Sequence, residues 1–194
     1  VDYLVVMGTT GETPTLAMPE RVAVLRAVKA RNAGRLPLVV GVGGNDTARV
    51  VELIDQTNLD GVDAILSVTP FYNKPSQRGL FEHYKYISER SPRPIILYNV
   101  PGRTGVEIQP ATMAKIAEIP NIAGIKDAGG NMSKTMETLR LTRDKCDLYS
   151  GEDALNLPIL ACGGAGVISV LSNVAPAETS LMCKKFFQGD VCGA

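Results

Sequence analysis

PIILYNVPGRTGVEIQPATMAKIAEIPNIAGIKD, residues 94–127, holds one complete unit of the repeat from which the fold can be read. It opens on an apolar run, Pro94–Val100, and passes through the loop Pro101-Gly102-Arg103-Thr104-Gly105. A stretch with helical spacing follows Pro110 and carries Met113, Ile116 and Ala117. The unit closes on a second apolar run, Ile122–Ile125, capped by Lys126-Asp127. Both runs are apolar throughout instead of alternating with polar residues, so both faces of each strand should be buried, as in a parallel sheet covered by helices.

The same unit recurs on either side. Strand-like runs lie at Tyr3–Met7, Leu36–Val42, Ala64–Val68, Leu148–Ser150 and Val167–Leu171. Helical stretches separate them. The first carries Val22, Leu25 and Val28 on one face, with Pro19 near its start and Gly34 past its end. A second follows Asn45-Asp46 with Val50, Val51 and Ile54, and a third follows Ser76 with Leu80, Tyr84 and Ile87. After Asn131 a further helix presents Met132, Met136 and Leu139; one beginning near Asp153 should bend at Pro158; the last runs from Pro176 to Phe187. Polar residues gather where several different strands end: Gly8-Thr9-Thr10-Gly11-Glu12, Thr69 to Asn73, Tyr98-Asn99 and Lys126-Asp127. An open doubly wound sheet concentrates its site at one switch point, whereas a (β/α)₈ barrel spreads it around the strand ends. The pattern therefore predicts a TIM-type barrel with seven of its eight strands visible, the eighth expected before Val1.

Composition narrows the function. The 194 residues are 45% hydrophobic and 21% charged, and twenty Lys and Arg offset twenty Asp and Glu. This fits one globular domain, residues 1–194, with no charge excess to draw nucleic acid or an anionic membrane. No apolar run is long enough to span a bilayer. Cys146, Cys162, Cys183 and Cys192 lack C-x-x-C spacing and read as reduced thiols of a cytoplasmic protein. The one histidine, His83, falls in a helical stretch and reads as a surface or packing residue. The acidic residues show no metal-ligand spacing, so no metal is expected. Gly41-Val42-Gly43-Gly44 lacks the third glycine of a dinucleotide fingerprint, and Gly163-Gly164-Ala165-Gly166 precedes a strand, as a tight turn does.

Lys126 is the most informative residue. An amine at the end of a buried strand sits among apolar side chains, which disfavours its charged form. Lowering a lysine from about 10.4 to the 7–8 useful for catalysis costs roughly 4 kcal/mol. A free amine there can attack a ketone to give a Schiff base; the plainer alternatives are a snorkelling lysine or one paired with Asp127 or Glu12. Tyr98 ends the preceding strand, and neighbouring strands lie about 4.8 Å apart, so its phenol can share a pocket with Lys126 and move protons. Thr9 and Thr10 could bind a carboxylate or relay a proton to Tyr98, although Thr-Thr-Gly is also ordinary turn chemistry. Arg103 suits bidentate capture of a carboxylate.

Six segments, in order, resemble the dihydrodipicolinate synthase family, pyruvate-dependent class I aldolases grouped with N-acetylneuraminate lyase. They are Gly8–Glu12, Val68–Ser76, Leu97–Gly105, Gly124–Asp127, Ser150–Asp153 and Gly166–Ser169. The resemblance implies a Schiff base between Lys126 and pyruvate and condensation with L-aspartate 4-semialdehyde to the intermediate of lysine and diaminopimelate synthesis. It implies that Thr10 and Thr9 hold the pyruvate carboxylate and relay protons with Tyr98. Tyr72 would complete the relay in the site of a neighbouring subunit. Arg103 would meet the second substrate, and Gly151 and Ile168 would line the pocket with backbone groups. It further implies no metal or organic cofactor, and a homo-oligomer, at least a dimer and commonly a tetramer. Thr9-Thr10 and the run Tyr72–Ser76 look like the synthase more than the sialic-acid lyases; a sugar-acid aldolase and a silent keto-acid-binding barrel are the alternatives. Against the family pattern, the first strand with its helix and a C-terminal helical region are missing, so these residues alone are expected to be poorly soluble or inactive. Arg49 stands where the family's lysine-feedback site has Glu, with Asn45 kept and Phe71, Met18 and Arg21 also altered, which implies weak or absent inhibition by lysine.

Overall fold

The computed structural model describes all 194 residues. Seven strands form one parallel sheet in simple sequence order: β1 (Leu4–Val6), β2 (Leu38–Gly41), β3 (Ala64–Val68), β4 (Ile95–Asn99), β5 (Ile122–Asp127), β6 (Asp147–Ser150) and β7 (Gly166–Val167). Each connection carries helix: α1 (Met18–Asn32), α2 (Thr47–Gln56), α3 (Gln77–Ser88), α4 (Pro101–Thr104) with α5 (Pro110–Ile116), α6 (Met132–Thr142) and α7 (Asn156–Ala161), and α8 (Pro176–Phe187) follows β7. An unbroken strand order with every neighbour parallel is the order of a β/α barrel, and the sheet curls accordingly. Its two edges do not pair, yet the hydroxyl of Tyr3, just before β1, donates to the Val167 carbonyl of β7 at 2.8 Å. No helix is long and apolar enough to cross a membrane.

Curling gives the sheet two cores. The larger lies between strands and helices and contains 23 buried residues, among them Val40, Ile65, Leu97, Ile125 and Leu148 from the outward face of the sheet. The smaller fills the concave side with Val39, Ala64, Leu66, Ile96, Tyr98, Val100 and Ile168. Strand residues two apart share a face, so a β-bulge decides which side chains of β5 look inward. The register steps from Ile95↔Ile122 to Ile96↔Gly124, leaving Ala123 as the extra, exposed residue. Ile122 and Ile125, three apart, therefore both face the outer core, while Gly124 and Lys126 face the concave side. Without that one-residue insertion the parity would reverse and the lysine could not face the concave core together with Tyr98.

The helix ends follow their sequence signals. Asp46, Ser76 and Asn131 accept from the backbone N–H groups of Arg49, Gly79 and Lys134, and Glu20 accepts from Ala17 at the start of α1. Three readings needed correction. On α6 Met132 and Leu139 pack against the core, but Met136 is exposed and the fully buried residues are Thr135, Thr138 and Thr142, of which Thr135 donates to the Asp127 carboxylate of β5. On α1 Leu25 is buried but Val22 is exposed. The last strand stops at Val167 and the chain turns into a short 3₁₀ helix at Leu171–Asn173.

His83 is a packing residue. It is 4% exposed on α3, lies edge-on to Tyr84, and its Nδ1 is 2.8 Å from the Thr47 hydroxyl, while Nε2 has no partner. Burial lowers its pKa from 6.5 to about 4. A base whose folded pKa is depressed contributes full stability above the unfolded value and loses it as pH falls from 6.5 toward 4. We expect the protein to lose about 2 kcal/mol between pH 7 and pH 5 through this group. Urea unfolding at both pH values, with His83→Gln as the control that flattens the difference, measures it.

Candidate active site

The site is built at the C-terminal ends of β4, β5 and β6, where Tyr98, Lys126 and Tyr149 are register partners. Lys126 is 7% exposed, and its Nζ lies 4.2 Å from the centre of the Tyr98 ring. It forms no ion pair: Asp127, next in sequence, faces the other side, where its carboxylate accepts from Asn99, the Gly129 N–H and Thr135. The alternative of a lysine paired with Asp127 is thereby removed. Burial lowers the Lys126 pKa to about 8, and the charge of Asp153 opposes part of that drop. The amine thus carries an accessible neutral form at physiological pH, as a Schiff-base nucleophile requires.

Tyr98 is also 7% exposed, and its hydroxyl makes no hydrogen bond within the chain. Burial raises its pKa, with Arg103 lowering it and Glu152 raising it. The phenol is therefore a neutral proton donor near the amine. Gly151 packs on the lysine itself: a Cβ there would lie 2.8 Å from both Cγ and Cε of Lys126, so only glycine leaves the side chain its path. The Gly151 and Ile168 N–H groups are already committed to the carbonyls of Asp127 and Ser150. What these two residues offer a ligand is shape and carbonyl oxygen rather than N–H donors.

The remaining residues spread outward. A cavity of about 640 Å³ opens beside the concave core and is lined by Thr9, Tyr98, Val100 and Arg103; it continues outward to Met18 and Arg21 on α1. Arg103 is exposed on α4, a one-turn helix where the sequence reads as a loop, its chain entry fixed by Pro101. Thr9 and Thr10 begin a 3₁₀ turn, Thr9–Gly11, with both side chains exposed, and Thr10 does not line the cavity. Tyr72 is not brought to this site: it is 89% exposed on the loop after β3 and holds a left-handed backbone, φ 68°. For a non-glycine residue that conformation costs about 1–2 kcal/mol, and here the side chain gains no burial in return.

Sequence reading missed Asp153. Its Oδ2 accepts from the N–H groups of Val170 (3.0 Å) and Leu171 (2.8 Å), and its Oδ1 from Asn156 (3.2 Å). Burial would raise its pKa, but hydrogen bonds from Ser169, Leu171, Asn156 and Val170 outweigh that, and the net shift is downward.

Fold and site together define a parallel β/α-barrel protein with a buried, unpaired lysine at a strand end. The sequence model of the Dihydrodipicolinate synthetase family matches residues 1–194, and the chain belongs to that family. It is 48% identical over 188 residues to the 4-hydroxy-tetrahydrodipicolinate synthase of Alkaliphilus oremlandii, covering 97% of this chain and 65% of that protein. The dihydrodipicolinate synthase of Acinetobacter baumannii, solved with pyruvate, superposes with a TM-score of 0.94 at 42% identity, covering 98% of this chain and 65% of the other. The enzyme of Cyanidioschyzon merolae, solved with lysine bound, gives 0.89 at 40% identity over 95% of this chain and 63% of the other. The chain spans just under two thirds of the length of the relatives it matches.

Proposed function

We propose that this chain carries the Schiff-base site of an enzyme that condenses pyruvate with L-aspartate 4-semialdehyde to 4-hydroxy-tetrahydrodipicolinate. The observation that carries the reading is the buried, unpaired Lys126 amine over the Tyr98 ring. The neutral amine attacks the keto carbon, and Tyr98 passes the proton that lets the carbinolamine lose water to the iminium; loss of a proton from the methyl carbon gives the enamine, whose carbon attacks the aldehyde while the aldehyde oxygen takes up a proton. Thr9 and Thr10 take the pyruvate carboxylate and the proton relay, and Arg103 takes the carboxylate of the second substrate. Tyr72, projecting from its strained loop, serves the site of a second copy in an oligomer. The relatives named above act on this chemistry or were solved with pyruvate, which supports the assignment. Borohydride reduction in the presence of pyruvate, followed by mass spectrometry, should place one pyruvate-derived adduct on the Lys126 peptide; an unmodified peptide would exclude every Schiff-base reading, including the sugar-acid aldolases. Turnover with aspartate semialdehyde against sugar aldehydes then separates the synthase from those aldolases.

Lysine regulation should differ from that of the family members that bind it. Arg49 is an exposed cation on α2, paired with Glu52 at 2.5 Å, where a site for a cationic amino acid needs a carboxylate. Inhibition by lysine at sub-millimolar concentration should be weak or absent in a steady-state assay, and Arg49→Glu should strengthen it.

A further inference from the structure

Two of the walls around Lys126 come from separate loops. Gly151 begins the loop after β6 and presses on the lysine stem; Ile168 begins the loop after β7 and belongs to the concave core with Tyr98. The β6–β7 ladder is short, with only Tyr149↔Gly166 and Ser150↔Val167 in register, and β7 has no strand on its far side. Beyond that ladder the two loops are joined chiefly through one side chain. Asp153, two residues after Gly151, reaches across to the N–H groups of Val170 and Leu171, two and three residues after Ile168. Its other oxygen is held by Asn156 in the same loop.

We propose that Asp153 is a positioning residue, a clasp that fixes the Gly151 loop against the Ile168 loop and so holds the Lys126 side chain in its reactive place. The proposal rests on the Schiff-base reading of Lys126. Charge and clasp are separable roles. An amide in place of the carboxylate keeps an oxygen for the Val170 and Leu171 N–H groups. Asn156 has a buried Oδ1 without a partner, so rotating its amide lets it accept from the new amide nitrogen. Asp153→Asn therefore preserves the clasp and removes the charge, whereas Asp153→Ala removes both.

The test measures both variants in the full chain, alongside wild type, by pyruvate trapping on Lys126, kcat and KM for pyruvate, and amide hydrogen exchange. Asp153→Ala should lower kcat/KM about 30-fold, mostly in kcat, because misplacing a reacting group by about an ångström costs on the order of 10²-fold. Asp153→Asn should restore activity to within about threefold of wild type and move the acid limb of the trapping pH profile downward, since the carboxylate no longer favours the ammonium form. Protection of the Val170 and Leu171 amides should survive in Asp153→Asn and vanish in Asp153→Ala. Equal losses in the two variants would overturn the clasp in favour of charge alone, and so would unchanged amide protection in Asp153→Ala. A wild-type protein that traps no pyruvate sinks the Schiff-base reading, and the exchange data still decide whether the clasp exists.

Discussion

Lys126→Ala should abolish pyruvate trapping and lower turnover by at least about 10³-fold, because no other group in the site can form the covalent intermediate. The pH dependence of the intact protein provides the positive control. With the amine drawn down to about 8, roughly a tenth of it is neutral at pH 7, some 300-fold more than for a lysine at its ordinary value. The trapping rate should climb about tenfold per pH unit below 8 and level off above it. Stability should also rise with pH, but over the range above 8, where the trapping rate has levelled off. A lysine whose folded pKa is depressed destabilises the fold progressively as pH falls from its unfolded value to about 8, and below 8 the full penalty is present. That penalty is up to about 3 kcal/mol. Lys126→Met, which fills the space with an apolar chain, should therefore be inactive yet more stable than wild type at pH 7 by urea unfolding. An inactive variant that is also less stable would mean the lysine is held for packing, and the nucleophile assignment would fail.

This separation explains what could and could not be read from the sequence. Apolar runs such as Ala64–Val68 and Ile95–Asn99 announce buried parallel strands because burial on both faces leaves no room for polar residues. Lys126 was legible for the same reason, as a charge closing such a run. Its neighbour relations followed from strand adjacency, which needs no side-chain detail. Where the structure departs from the sequence reading, the deciding partner is remote. Thr135 is buried because Asp127, eight residues earlier and on another element, accepts its hydroxyl at 2.6 Å. Asp153 matters because of Val170 and Leu171, 17 and 18 residues on, and no local pattern records that crossing. The bulge at Ala123 is visible only afterwards, in two isoleucines spaced by three that both face the outer core. Tyr72 is the converse case: nothing within this chain accounts for its exposure or its left-handed backbone.

Tyr98→Phe should cost about 10²-fold or more in kcat while leaving stability unchanged or slightly higher. The ring and the hydroxyl do different things. The ring supports Lys126 from one face at 4.2 Å and packs into the concave core with Leu66, Ile96 and Ile168; phenylalanine keeps all of this. The hydroxyl is bonded to no group of the chain, unlike Tyr84, whose phenol donates to the Ser67 carbonyl at 3.2 Å. Removing it breaks nothing in the fold, so any loss is a loss of chemistry. The loss should fall on the steps that need a proton. Carbinolamine dehydration slows, so the single-turnover rate of pyruvate trapping should drop with kcat, whereas pyruvate KM should change by less than about threefold, since the phenol is not the carboxylate ligand. Because burial raises the Tyr98 pKa, the hydroxyl stays protonated across the working range, and the variant should keep the same acid limb near pH 8 that Lys126 imposes. A Tyr98→Phe protein that traps pyruvate at the wild-type rate would assign the proton transfer elsewhere, to Thr9 or to bulk water entering through the cavity beside Arg103.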